Sequence, residues 1–165
     1  MMNLLYKSNR IGKSGKVFEM YKFRTLKNDV DKTSKFVQEE QYTKFGRFLR
    51  KTKLDELSQL WNIIKGDLRF FGYRAEEERS FSVLPKEMQE LLAREKPGLI
   101  DLSSLHFFDE ENLMKFGDSH KTYWEAVRPM KFVLQMFYMQ NRCFLLNFAI
   151  IWIFIKKFVY SFFKK

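Results

Sequence analysis

The clearest pattern in the chain is a switch in the spacing of its apolar positions. Lys16 to Leu26, "KVFEMYKFRTL", nearly alternates apolar and polar residues, which is the period of a strand. Turn chemistry at Gly12 to Gly15 precedes it, so residues 10–26 predict a β-hairpin or a turn and strand. "KNDVDKTSKF" is polar and predicts a loop. "YTKFGRFLRKT" predicts a short amphipathic helix with Phe45, Phe48 and Leu49 on one side. From there the period is helical: Leu54, Leu57, Leu60, Trp61 and Ile64 form a stripe that Gly66 ends. Asp55, Gln59 and Asn62 share another face of that helix, largely opposite the stripe. The pattern predicts that Trp61 lies in the core and that the polar face is reachable.

Farther along, "FFGYRAEEERSF" predicts a turn and an acidic segment whose Glu76, Glu77 and Glu78 are solvated. "LPKEMQELLAREKPGL" predicts a helix ended by Pro97-Gly98, and "IDLSSLHFFDEENL" an irregular stretch. From Trp124 two helices are expected, the first broken or started at Pro129. No repeat or low-complexity linker divides the chain, so one domain over 1–165 is expected: α+β, mostly helical, compact, with a small sheet near residues 15–26.

The C-terminal pattern, "CFLLNFAIIWIFIKKFVYSFFKK", is different in kind. Its longest apolar run, Phe144 to Ile155, is 12 residues with Asn147 inside it. Spanning a bilayer takes roughly 20 apolar residues. Residues 143–165 therefore predict a helix lying in the membrane interface, lysines toward headgroups and aromatics toward acyl chains. Phe144, Trp152, Phe154 and Phe158 are its expected membrane contacts. The N-terminus has no apolar run of signal-peptide length, so none is expected. An exposed aromatic surface also predicts self-association, including a homodimer.

Composition narrows the chemistry. One cysteine, Cys143, excludes an internal disulfide and the two- and four-cysteine zinc patterns. The two histidines, His106 and His120, have no HExxH spacing, which argues against a zinc hydrolase. The net charge of +10 is uneven: residues 1–65 carry +8, 66–120 carry −5, and 121–165 carry +7. Such basic surfaces suit nucleic acid, anionic lipid or phosphorylated small molecules. No helix-turn-helix, RNA-binding sheet or zinc finger is visible, so nucleic acid is not expected.

Against this basic background Asp55 and Glu56 are adjacent at the start of the predicted helix. Acidic residues often sit there only to stabilise the helix end. A helix start also favours a phosphate, and a carboxylate there can serve as nucleophile or metal ligand. Lys22, Arg24, Arg47, Arg50 and Arg74 belong to the same part of the sequence and could neutralise phosphate charge.

Three blocks, "YKFRTL", "TKFGRFLRKTKLDELSQLWNIIKGDLRFFGYRAE" and "KPGL", in this order and spacing, resemble the bacterial sugar transferase family, the monotopic phosphoglycosyl transferases. The likeness covers roughly residues 8 to 155. It implies transfer of sugar 1-phosphate from a UDP-sugar to polyprenyl (undecaprenyl) phosphate, initiating a surface glycan at the cytoplasmic face of the bacterial inner membrane. Asp55 would be the nucleophile of a covalent phosphosugar intermediate, and Glu56 would help bind Mg²⁺ or handle protons. Both carboxylates would be metal ligands. Lys22, Arg24, Arg50 and Arg74 would hold substrate phosphates. Several positions depart from the family's habit. Its N-terminal membrane-dipping segment is expected to be missing, which admits an alternative: a truncated, non-catalytic relative that binds the membrane or a glycan-assembly partner. The usual "GPRPE" is Gly72-Tyr73-Arg74-Ala75-Glu76, without the stiffening prolines. The usual "PGLTG" is Pro97-Gly98-Leu99-Ile100-Asp101, whose added acid is expected to bear on sugar recognition. Lys53 replaces a capping Ser, leaving Thr52 with Asp55 as a weaker cap, and Ser58 replaces a Pro. Asp67 is expected either as a second acid near the site or in a turn.

Overall fold

The computed structural model describes residues 4–27, 39–107, 121 and 123–163. Most of the polar stretch after Leu26, and His120, lie outside these residues. The predicted hairpin is present. Strand β1 (Leu5–Ile11) pairs antiparallel with β2 (Val17–Phe23), and Ile11 opposes Val17 beside the turn. Its first strand begins well before the expected sheet. The turn closes with Gly12 N–H donating to the Lys16 carbonyl at 2.9 Å, and Gly15 takes a positive φ of 72° that costs glycine little.

Helix α1 (Lys44–Lys51) starts at Thr43, whose Oγ1 accepts from Gly46 N–H at 2.8 Å. Gly46 lies against the backbone that leaves the hairpin: a Cβ there would sit 2.0 Å from the Thr25 carbonyl oxygen. Leu49 turns inward with it, whereas Phe45 and Phe48 are exposed, so the three apolar residues do not share one buried side.

A 3₁₀ segment (Leu54–Gln59) runs into the short helix α2 (Leu60–Ile64). This pair is oriented opposite to the expectation. Asp55, Gln59 and Asn62 are buried, while Leu57, Leu60, Trp61 and Ile64 are exposed, Trp61 by 56%. The cause is β2. Its outer edge offers backbone groups with no strand beside them, and Asn62 takes them. Asn62 Oδ1 accepts from Tyr21 N–H at 3.1 Å, and its Nδ2 donates to the Glu19 carbonyl at 2.6 Å and to Asp67 Oδ2 at 3.1 Å. Asp67 thereby has the turn role, after Gly66 stops the helix at φ 82°.

The acidic segment holds a strand that its period conceals. β3 (Arg69–Phe71) pairs in parallel with β4 (Gly98–Ile100), and helices α3 (Glu78–Ser82) and α4 (Lys86–Ala93) make the crossover between them. The strands continue into a close crossing at their glycines: a Cβ on Gly98 would lie 2.1 Å from Gly72 N. α4 ends before Pro97-Gly98 as expected. The stretch after β4, expected to be irregular, opens with helix α5 (Leu102–His106), started by Asp101 Oδ1 accepting from Ser104 N–H at 2.8 Å.

A π-helical turn (Tyr123–Val127) leads into α6 (Arg128–Asn141), with Pro129 in its first turn. The last helix, α7 (Phe144–Phe163), packs on α5 and α6 through Leu146, Ile150 and Phe154 against Leu105 and Tyr138. Tyr138 OH donates to Asn147 Oδ1 at 2.8 Å, which accounts for the polar residue inside the apolar run. α7 is, among the described residues, one helix long and apolar enough to cross a membrane by length and composition, and 11% of its apolar window is buried. Phe144 and Trp152 are exposed; Phe154 and Phe158 stack on each other with centroids 6.1 Å apart and are half-buried. Lys157 donates to the Leu105 carbonyl at 2.7 Å, so it ties α7 to α5 instead of pointing away from the protein. A second core joins Tyr73, Leu84, Leu92 and Phe132, and a third joins Met20, Leu68 and Ala75 beneath the hairpin.

Candidate active site

The acidic pair sits where four segments of chain meet. Lys53 adopts a left-handed conformation, φ 57°, and turns the backbone from α1 into the 3₁₀ segment. This aims Asp55 and Glu56 at the end of β2 and at the loop after β3. Thr52 takes no part as a cap: it is buried, and its Oγ1 donates back to the Phe48 carbonyl at 2.8 Å. Asp55 is 8% exposed, and its Oδ1 is buried with no hydrogen-bond partner.

Glu56 is bound twice. Its Oε1 accepts from Lys22 Nζ at 2.9 Å and from Arg74 Nη2 at 3.0 Å. The other arm of Arg74, Nη1, donates to Ser104 Oγ at 3.1 Å and lies 3.9 Å from Asp101 Oδ2. Arg50 reaches from α1 to donate to Tyr42 OH at 2.7 Å, and its charge is felt at Asp55. Arg24 is half-buried just past β2, with its backbone N–H on the Leu4 carbonyl at 2.8 Å. Arg47 is exposed on α1. Lys22 and Arg74 are thus brought onto the pair, and Arg50 acts on it through its field.

The two carboxyls are driven apart in acidity. Burial and the neighbouring Glu56 charge raise the Asp55 pKa, against the pull of Lys22, Arg50 and Lys53. Burial alone would raise Glu56 too, but Lys22 and Arg74 overcome it and hold Glu56 well below the usual carboxylate range. Lys22 is itself lowered by burial and by Arg74, with Glu56 opposing. Polar atoms of Ser58 and Gln59 beside the pair are also buried without partners. A buried polar atom without a partner is costly, and such atoms mark places for a ligand.

No group of three or more His, Cys, Asp or Glu is gathered among the described residues. Mg²⁺ does not need one, since it is commonly held by one or two carboxylates together with substrate phosphates and water. The unpartnered Asp55 Oδ1, with Glu56 next to it, fits that mode.

A family model described as bacterial sugar transferase matches residues 1–161. The chain belongs to the bacterial sugar transferase family. Among its relatives, a putative undecaprenyl-phosphate N-acetylgalactosaminyl 1-phosphate transferase of Bacillus subtilis is 41% identical over 75 residues, 44% of this chain and 42% of that protein. An uncharacterized sugar transferase of Bacillus subtilis is 31% identical over 96% of this chain and 71% of its own length. An undecaprenyl-phosphate galactose phosphotransferase of Salmonella typhimurium is 39% identical over 42% of this chain and 18% of its own. The chain spans 42% and 33% of the lengths of two of these relatives, the first above and a galactosyl transferase of Streptococcus agalactiae.

The chain holds its arginine loop without the two prolines. Tyr73, 2% exposed, packs on Leu84, Leu92 and Phe132 and donates its hydroxyl to the Glu95 carbonyl at 3.3 Å. Ala75, 3% exposed, sits on Met20 and Leu68, and its carbonyl accepts from Arg10 Nη1 at 3.3 Å. Arg10 also pairs with Glu77 at 2.8 Å, so that acid is engaged and not simply solvated. Two buried neighbours therefore fix Arg74 by packing. Ser104 and Tyr42 are site residues that sequence reasoning missed. Ser104 had a signal in the D-x-x-S capping spacing of "DLSS"; Tyr42 had none.

Proposed function

We propose that this chain transfers a sugar 1-phosphate from a UDP-sugar to polyprenyl (undecaprenyl) phosphate through a covalent aspartyl intermediate. The observation that carries the proposal is Asp55: a buried carboxylate with one oxygen unpartnered, in the field of Lys22, Arg50 and Lys53 and next to Glu56, which Arg74 holds. An Asp55 oxygen attacks the sugar-bearing phosphorus. The bond from that phosphorus to the bridging oxygen breaks, and UMP leaves with the electron pair. An oxygen of the polyprenyl phosphate then attacks the same phosphorus, breaks its bond to Asp55 and restores the carboxylate. Lys22, Arg24, Arg50 and Arg74 offset the charge of the diphosphate and of the phosphoryl group in transfer. Mg²⁺, when held by Asp55 and Glu56 with substrate phosphates, supplies Lewis-acid charge that eases departure of UMP. The names of the undecaprenyl-phosphate relatives support the donor and acceptor classes.

The acceptor is a lipid, and the surface suits one. Every exposed residue between 44 and 65 is either a lysine or arginine or a large apolar side chain. With exposed Phe144 and Trp152 on α7, this face would rest on the cytoplasmic side of the inner membrane. Without a bilayer it would pair copies as a homodimer.

Mass spectrometry of the protein in detergent, incubated with Mg²⁺ and a panel of UDP-sugars but no lipid acceptor, tests the mechanism. The expected result is a phosphosugar adduct on Asp55, absent in Asp55→Asn. Full transfer activity in Asp55→Asn would overturn it.

A further inference from the structure

Asp101 is 1% exposed and stands at the last glycine of the usual "PGLTG". Its expected part in sugar recognition requires the side chain to face a ligand, but it is turned into the fold. Oδ1 accepts from Ser104 N–H at 2.8 Å and from the Ser103 hydroxyl, and so starts α5. Oδ2 has no hydrogen-bond partner and lies 3.9 Å from Arg74 Nη1. That same Nη1 donates to Ser104 Oγ, whose backbone Asp101 holds. One carboxylate thus reaches one arm of Arg74 by two routes, directly by charge and through the serine it positions. The other arm, Nη2, is on Glu56. A guanidinium is rigid and planar, so fixing one arm fixes the direction of the other.

We propose that Asp101 is a positioning residue that holds Arg74 by its Nη1 arm and so aims Nη2 at Glu56 and at the phosphate site beside it. Tyr73 and Ala75 fix the backbone of the arginine by packing; Asp101 fixes its head. The consequence for phosphate binding rests on the function proposed above; the positioning itself does not.

Asp101→Asn separates the two jobs of the side chain. Asparagine keeps an oxygen for the Ser104 N–H, so α5 stays capped. It removes the charge and turns an amide donor toward a guanidinium that also only donates. The first measurement is NMR of arginine side chains labelled with ¹⁵N in the full chain, with Arg74 assigned by loss of its signals in Arg74→Lys. Slow rotation of a doubly held guanidinium keeps its Nη signals resolved. The expected result is resolved signals in the parent protein, collapsed in Asp101→Asn, with a cooperative melt that shows the variant folded. Unchanged Arg74 signals in Asp101→Asn would overturn the proposal.

The second measurement is a calorimetric titration with UDP, a diphosphate without a sugar. Asp101→Asn and Arg74→Ala should each weaken binding about ten-fold. The double variant should lose no more than Arg74→Ala alone, because Asp101 acts through that arginine. Additive losses would overturn the proposal. A parent protein that holds Arg74 rigidly yet takes up no UDP would overturn the donor assignment and leave the positioning standing.

Discussion

Asp55 and Glu56 are adjacent in the chain and opposite in state, and that contrast sets what each substitution does. Glu56 is stabilised as an anion by Lys22 and Arg74; Asp55 is buried with less compensation. A nucleophilic carboxylate must be ionised. Because the Asp55 pKa is raised, the acid limb of kcat/KM should fall above the ordinary aspartate value of about 3.9, as a pH profile of the transfer reaction will read. A raised carboxyl pKa also means that ionised Asp55 opposes folding at neutral pH. Asp55→Asn should therefore raise the melting temperature while abolishing the adduct. Glu56 has the reverse sign. Its stabilisation is fully present above the unfolded-state pKa and is lost as pH falls from there toward the lowered folded value. Glu56→Gln should cost about 3 kcal/mol at neutral pH, since it strands two partly buried cations, and should flatten the acid side of the stability profile. Denaturant melts at pH 7 and pH 4 check both. The pair and its cations were legible in the sequence because each belongs to a block of distinctive residues. Their opposite shifts in acidity were not, since acidity depends on burial and on which oxygen meets which cation.

Among the elements, the period of the apolar residues gave the longer helices, missed the five-residue α3 and α5, and gave orientation poorly. Leu57, Leu60, Trp61 and Ile64 do share a face, but periodicity does not say which face is inward. Here the polar face is drawn in because the edge of β2 needs partners and Asn62 supplies them. The strands β3 and β4 were missed for a different reason. Three residues are too few to show a period, and a parallel partner nearly thirty residues away leaves no local trace. What the sequence did carry was their glycines. The "FFG" and "KPG" of the resembling blocks are the point where two backbones cross. Gly98→Ala would place a methyl group on backbone that has no flexible end to give way. It should destabilise the chain by about 3 kcal/mol or more, read from denaturant melts, and should release the Arg74 loop that leaves the crossing. Gly15→Ala, in open space, should cost only the strain of its positive φ, about 1 kcal/mol.

For the whole molecule, the inverted helix and α7 pose one question: what covers so much exposed apolar surface? Single exposed apolar residues are ordinary, but a stretch whose exposed positions are only cationic or large and apolar is not. A protein partner would need polar complementarity as well, whereas an anionic bilayer asks for just these two residue classes. The two acids of that stretch face inward, toward the site, so nothing on this face repels lipid phosphate. The acidic pair and this cationic and apolar surface share the same short segment, in which Leu57 follows Glu56 directly. A lipid-linked phosphate would reach Asp55 without leaving the interface. Vesicle flotation tests this. The chain should bind vesicles rich in anionic phospholipid more strongly than neutral ones, and rising salt should erase most of that difference. The double variant Trp61→Ser/Ile64→Ser should weaken binding at least about ten-fold at any salt, because it removes apolar burial and not charge. Its melting temperature in detergent should not change, since both side chains are exposed. Unaltered vesicle binding in that variant would assign the membrane contact to α7 alone.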